Sequence, residues 1–286
     1  MKEFIQSRRI FCVAFAIFAF ICIPAHSNAT LTPYEQSCID KMMAFRVSIC
    51  ALDPSQALAK VDSYRAKVLS SEECTKISEE TQLILDTFLV LESFNYIYER
   101  NQTDPRLKTL ILAQYDKLNA YIEKNKDSTI NKWLYCIAGD AISCTMGFVS
   151  TSEAMKRGLT IKDYYLKALE QDPNFSMALV NAGQWFFQAP AIGGGSKQKA
   201  RSYFERALKA SRNNAESYYA KAMLSQCKFS DGEKDTAAEL LEQALSLAPG
   251  SRLILKMKEV NSVGENYFYY IVHRAEVDKK IAKKAN

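Results

Sequence analysis

The chain is poor in the residues most enzymes depend on. His26 and His273 are its only histidines, and His26 falls in an N-terminal segment expected to be removed. One imidazole excludes most Ser-His-Asp and Cys-His mechanisms and any multi-histidine metal site. His273 sits in an Arg/Lys-rich stretch near the C-terminus, where a surface position is expected. The carboxylate pairs Glu79-Glu80 and Asp231 with Glu233 show no apolar pocket around them to raise a pKa, so they read as solvated charge. Gly193-Gly194-Gly195-Ser196 precedes a helix, and a helix N-terminus can offer free N–H groups to a phosphate. The run lacks the Gly-x4-Gly-Lys-Ser/Thr spacing and follows a helix rather than a strand, so it reads as a turn insertion. No catalytic residue, metal ligand or cofactor is expected. Binding, not chemistry, is the expected mode of action.

Binding chemistry is expected at the aromatic residues. Trp185-Phe186-Phe187 are consecutive, and Pro190, Ile192, Gly193 and Gly194 follow them. Successive residues on a helix are about 100° apart, so three adjacent rings cannot all enter one core. At least one should meet a groove, a neighbouring subunit or a ligand. Tyr267, Phe268, Tyr269 and Tyr270 raise the same question, with burial under the C-terminal tail the expected answer.

The elements that position these residues are helices. Apolar residues recur at i, i+3, i+4 and i+7 over long stretches, such as Leu85, Phe88, Leu89 and Leu91 with Phe94, and no period-2 pattern bounded by turn residues intervenes. Ahead of them, Lys2, Arg8 and Arg9 start a segment whose apolar run, Ile10 to Ile23, is 14 residues long. That is short of the roughly 18 needed to span a bilayer, and Ser27-Asn28-Ala29 supplies small-x-small residues. The segment reads as a secretory signal over residues 1–29, cleaved after Ala29. Lipid attachment at Cys22 is disfavoured by the bulky Phe20 and Ile21 before it. Removal would lower the formal net charge from +5 to +3, too little to imply a nucleic-acid partner. The mature chain keeps Cys38, Cys50, Cys74, Cys136, Cys144 and Cys227. Cys136 and Cys144 would lie about 12 Å apart on an unbroken helix, so they could pair only if the chain broke near Gly139-Asp140.

Three segments repeat: Tyr165 to Asn174, Phe204 to Asn213 and Leu241 to Gly250. Their shared alanines Ala168, Ala207 and Ala244 are spaced by 39 and 37 residues. Small residues at Ala178, Ala182, Gly183, Ala220 and Ala222 mark the intervening helices, where a neighbour must come close. Ala200 with Phe204 and Ala237 with Leu241 complete a tetratricopeptide-like (TPR-like) pattern, and Pro173 and Pro249 close two units. Each pair buries its apolar face only by stacking on the next. The fold class is therefore all-α, a TPR-like array of helical hairpins with flanking helices at both ends. Helical pairs are expected over 30–157, TPR-like repeats over 158–251 and capping helices over 252–286. The first helices of the repeats should line a concave groove, with Leu179, Asn181, Gln184, Tyr218, Tyr219 and Lys221 as candidate partner contacts.

The stretch Trp185 to Gly195, with its Pro-x-x-Gly-Gly insertion, and the following helix bearing Ala200, Tyr203, Phe204 and Ala207 resemble one family. It is the TPR-containing T-component family associated with TRAP-type transporters. The likeness is strongest over 160–250. Members commonly carry a lipobox and an Asp after Gly-Gly, whereas this chain has neither. The resemblance implies a periplasmic accessory of a solute-binding protein. It further implies a homo-oligomer with a pore or cavity that passes small hydrophobic ligands. A general scaffold for envelope protein complexes and a hydrolase of envelope polymers are the alternative readings.

Overall fold

Helix starts in this chain carry their own caps. The Thr32 hydroxyl accepts the N–H of Glu35 while the Glu35 carboxylate accepts the N–H of Thr32, a reciprocal capping box. Asp53-Pro54 and Asp104-Pro105 set an acidic cap ahead of a proline at the first helical position. Ser78, Asn131, Ser150, Ser196, Asn213 and Ser251 cap in the same way. The structure, a computed structural model, describes residues 30–285. The expected signal, with Cys22, lies outside the described residues.

The described residues fold into α-helices and short turns with no strand. The helices are α1 Pro33–Ser48, α2 Pro54–Val68, α3 Ser71–Cys74, α4 Glu79–Arg100, α5 Pro105–Lys124, α6 Lys132–Thr145 and α7 Thr151–Gln171. There follow α8 Ser176–Gln188, α9 Lys197–Ala210, α10 Asn214–Ser230, α11 Lys234–Leu247, α12 Arg252–Ser262, α13 Tyr267–Tyr270 and α14 Arg274–Ala285. Four hairpins, α4–α5, α6–α7, α8–α9 and α10–α11, stack in order, and each inner helix also meets the inner helix of the next hairpin. The small-residue pattern explains how closely they approach. Ala168, Ala200, Ala207 and Ala244 are fully buried, and a Cβ on Gly183 would come within 2.6 Å of the Phe204 ring.

The inner side of the array is filled. Helix α1 packs against both α4 and α10, with Ile39, Met42 and Met43 buried to within 1%. These residues follow the i, i+3, i+4 spacing of a single helical stripe. The array then returns on itself at α12. Arg252 pairs with Glu99 of α4, and its N–H donates to the Cys50 carbonyl at 3.0 Å. The Tyr218 and Ser251 hydroxyls lie 2.7 Å apart. One continuous core links residues from Ile39 to Phe268, and residue 157 lies inside α7. Helix α13 buries Phe268 and Tyr270, and Val277 of α14 covers Tyr270. The four-aromatic run is thus mostly accounted for by burial, with Tyr267 and Tyr269 half-buried.

One expectation needs correction, and one condition is not met. Leu179 and Tyr218 are 0% and 1% exposed, so they are core residues, not partner contacts: α8 packs between its neighbouring helices and the Tyr218 hydroxyl meets Ser251 at the start of α12. No chain break occurs at Gly139-Asp140: α6 is continuous from Lys132 to Thr145. Cys136 and Cys144 therefore cannot meet, and all six cysteines of the described residues are free thiols.

Candidate functional site

The sequence-predicted residues fall into two places. The first is the connection from α8 to α9. Phe186 is buried and stacks on Tyr203 at 5.2 Å, whereas Trp185 and Phe187 are half-buried on either side of it. Trp185 donates its indole N–H to the Gly158 carbonyl of α7 at 2.8 Å. Phe187 packs on Phe268 at 4.3 Å. Each ring carries a lysine: Lys162 over Trp185, Lys199 over Phe186 and Lys197 over Phe187, at 5.4–5.5 Å. None of the three lysines forms an ion pair among the described residues, so each keeps its charge available beside an aromatic face.

Beyond these rings the loop is tightly built. The N–H groups of Gly193 and Gly195 both donate to the Pro190 carbonyl, at 2.8 and 3.1 Å, and the Ser196 N–H returns to the Phe186 carbonyl at 2.8 Å. Gly194 has φ +95°, a conformation that L side chains resist. A Cβ on Gly195 would lie 1.8 Å from the Ala189 carbonyl oxygen. This frame holds Ile192 at 99% exposure, with Pro190 and Gly194 also exposed. Met155 and Leu159, on the stretch of α7 that Trp185 touches, are 71% and 52% exposed. Large apolar side chains at such exposure beside unpaired lysines make a surface suited to an apolar socket with an acidic rim. Gly195→Ala is expected to open this loop at a cost of about 2 kcal/mol. Loss of amide-exchange protection at Gly193 and Gly195, with α8 and α9 unchanged, would report it. Unaltered protection there would contradict the steric argument.

The second place is interior. Asn181 is 7% exposed and donates to Asp140 Oδ1 of α6 at 2.7 Å; the Tyr165 hydroxyl donates to the same oxygen at 2.8 Å. Gln184 Nε2 reaches Asn181 at 3.5 Å. The Tyr219 ring lies 5.1 Å from the guanidinium of Arg46, which also covers Phe88 at 5.0 Å and donates to Glu92 at 2.6 Å. Lys221, by contrast, is turned toward α11 and bonds Gln243. Burial pushes the Asp140 carboxyl up to about 6, against the pull of Tyr165, Arg46 and Asn181. Burial works against the Arg46 charge, yet Tyr219 and Glu92 beside it raise its pKa. Burial also raises the thiols of Cys136 and Cys144, the latter to about 12, so neither is an activated nucleophile. Arg46, Glu92 and Asp140 were missed by the sequence reading. An Asp within the apolar run Trp133 to Ile142, and an Arg one turn beyond Met42-Met43, were the available signals.

An open groove of about 1000 Å³ also runs between α1 and the turns preceding α10 and α12, lined in part by Gln36, Asp40, Ser48, Arg212 and Asn213. Among the described residues, no three or more His, Cys, Asp or Glu side chains are placed to hold a metal ion. No helix of the described residues is long and apolar enough to cross a membrane.

No curated protein matches the chain. The model of the family described as TRAP transporter T-component matches residues 89–259. That range runs from the middle of α4 into α12, takes in the hairpin stack, the Trp185 to Ser196 loop and all of the interior cluster except Arg46, and covers more than half of the sequence. The chain therefore belongs to the TRAP transporter T-component family.

Proposed function

We propose that this protein is exported and acts in the periplasm as the accessory that docks a TRAP-type solute-binding protein, using the surface around Trp185 to Ser196. An accessory role with a TRAP transporter comes with the family. That family is not an enzyme class, and the buried, high-pKa thiols give no support to a nucleophilic mechanism. The observation that carries the docking surface is Ile192, 99% exposed on a loop held rigid by Gly194 and Gly195 and flanked by Lys162, Lys197 and Lys199. A rigid apolar anchor with a charged rim is the arrangement that concentrates binding energy at interfaces. The basic n-region, apolar run and Ser27-Asn28-Ala29 support export.

Ile192→Asp tests the surface. The side chain touches nothing that stabilises the fold, so stability should change by no more than about 0.5 kcal/mol. Capture of a TRAP-type solute-binding protein from the same cells should weaken by about 10-fold to 100-fold. The residual binding should fall further with salt, because the lysine rim acts through long-range charge. Equal capture by the variant would sink this surface as the docking site. Cross-linking in the native cells that returned only unrelated envelope proteins would sink the transport partner itself.

A further inference from the structure

Five helices bring polar side chains together beneath α1: Arg46 from α1, Glu92 from α4, Asp140 from α6, Asn181 and Gln184 from α8, and Tyr219 from α10. They form two short runs, Glu92 to Arg46 to the Tyr219 ring and Asp140 to Asn181 to Gln184, which act on one another through the charges of Arg46 and Asp140. The charge balance inside is uneven. Arg46 is committed to Glu92 in an ion pair whose side chains are 10% and 8% exposed. Asp140 has no such partner: it forms no ion pair, and the one charged group acting on it appreciably is that same Arg46. Its Oδ1 accepts from Tyr165 and Asn181, while Oδ2 accepts from no described residue. A carboxylate inside a helical array without a cation of its own is uncommon and costly.

The open hydrogen-bonding capacity nearest Asp140 includes three oxygens, beside the Arg46 N–H groups that Glu92 and Met43 leave unused. Asp140 Oδ2, the Gln184 carbonyl oxygen and the Tyr219 hydroxyl oxygen are all acceptors without a donor among the described residues. Asp140, Gln184 and Tyr219 also each keep part of their surface accessible. An acceptor set with one net negative charge fits a primary ammonium group, which brings one positive charge and three donors. It does not fit an anion, because Asp140 repels it and the Arg46 charge is already neutralised by Glu92. A hard divalent cation needs six or more oxygen ligands, and no cluster of three or more acidic, Cys or His side chains exists here. A quaternary ammonium needs a cage of ring faces, and the Tyr219 face is already taken by Arg46.

We propose that this polar cluster is a binding site for a small molecule bearing a primary ammonium group, held by Asp140 with Gln184 and Tyr219 as further acceptors. The site is separate from the Ile192 surface and can be tested without any partner protein. A bound ammonium also offsets the cost of the lone carboxylate, whose pKa of about 6 makes binding weaken as acidity rises. The titratable and charged groups that face it are Arg46, Glu92, Tyr165, Cys136, Cys144 and Tyr219; burial or neighbouring charge pushes Arg46, the two thiols and the two tyrosines further above their ordinary values.

The test is calorimetric titration of the mature chain with n-butylammonium chloride at pH 7.5, compared with 1-butanol and sodium butyrate at the same concentrations. Saturable binding is expected for butylammonium alone. It should weaken about tenfold or more in Asp140→Asn and several-fold in Gln184→Met, a second variant at a partly exposed position. It should also weaken several-fold in the wild type at pH 5. Equal binding of 1-butanol would mean an apolar crevice and overturn the proposal. Preference for butyrate would make Arg46 the anchor and overturn it equally. So would unaltered affinity in a folded Asp140→Asn protein, or no saturable binding of any probe.

Discussion

Replacing Glu35 by glutamine is expected to remove about 2–3 kcal/mol of stability at neutral pH, a cost of about 5–10 °C in Tm for a chain of this size. Glu35 is 6% exposed, and its carboxylate accepts five hydrogen bonds. Oε2 takes the Thr32 N–H and hydroxyl, each at 2.9 Å, and Oε1 takes the Ser78 N–H at 2.8 Å, its hydroxyl at 2.6 Å and the Thr81 hydroxyl at 2.9 Å. One side chain therefore closes the capping box of α1 and ties it to the N-terminus of α4. Burial works against the charge, but these donors overcome it and hold the carboxyl down at about 2. A depressed folded-state pKa gives stability that is present above the unfolded value, near 4.5, and lost as pH falls toward 2. Glutamine presents an NH₂ group to donors where the second oxygen stood, leaving at least one of them unsatisfied. Denaturant titrations of wild type and Glu35→Gln should thus differ most at pH 7 and converge between pH 4.5 and 2. Amide exchange should locate the loss in α1. A gap that stayed constant with pH, or exchange unchanged in α1, would refute the electrostatic account.

That clamp matters because α1 decides which face of the array is available. The hairpin stack from about residue 160 was legible because its packing is written in residue size. Ala168, Ala207 and Ala244 recur where helices touch, and Gly183 leaves the space that the Phe204 ring fills. Size patterns of this kind are local and survive without knowledge of the neighbours. The filling of the groove was not legible for the opposite reason. Helix α1 comes from the far N-terminal part of the described chain, and its stripe of Ile39, Met42 and Met43 ends in Arg46, a residue that reads as solvent-facing until Glu92 is known to meet it. An inner-helix position then says nothing on its own about exposure. Leu179 and Tyr218 were expected at the groove surface and are buried in the core instead, while Asn181 and Tyr219 became part of an interior polar cluster.

The aromatic reading shows the same division. The angular argument for Trp185 to Phe187 depends only on helix geometry, and the structure places Phe186 inside with its neighbours half-exposed. The same argument for Tyr267 to Tyr270 gives alternation between buried Phe268 and Tyr270 and half-buried Tyr267 and Tyr269. Asp140 was obscured by its predecessor. Gly139-Asp140 has the composition of a turn, but here the glycine serves close approach: a Cβ would meet the Tyr165 ring at 2.4 Å. The helix continues, and the aspartate is carried inside with it.

Asparagine at position 140 is therefore expected to raise stability at pH 7.5, by about 2–3 kcal/mol. The folded-state pKa of about 6 lies above the unfolded value near 3.8, so folding takes up a proton between them. Above pH 6 the carboxylate must be kept charged in a poorly solvated position, and this opposes folding. As pH falls through 6 the wild type recovers that energy, and the advantage of Asp140→Asn should shrink toward nothing near pH 4. Asn keeps the side-chain oxygen that Tyr165 and Asn181 bond, and it removes the charge that Arg46, already paired with Glu92, does not neutralise. Tm measured across pH 4 to 8 on both proteins checks this. A variant less stable at pH 7.5 would mean that Arg46 compensates the Asp140 charge fully in the free protein. The stabilising direction would instead mark Asp140 as a residue kept at a cost to the fold, the signature of a group retained for what it binds. Butylammonium should then raise the wild-type Tm toward that of the variant and leave the variant unmoved, joining the stability and binding results to one carboxylate.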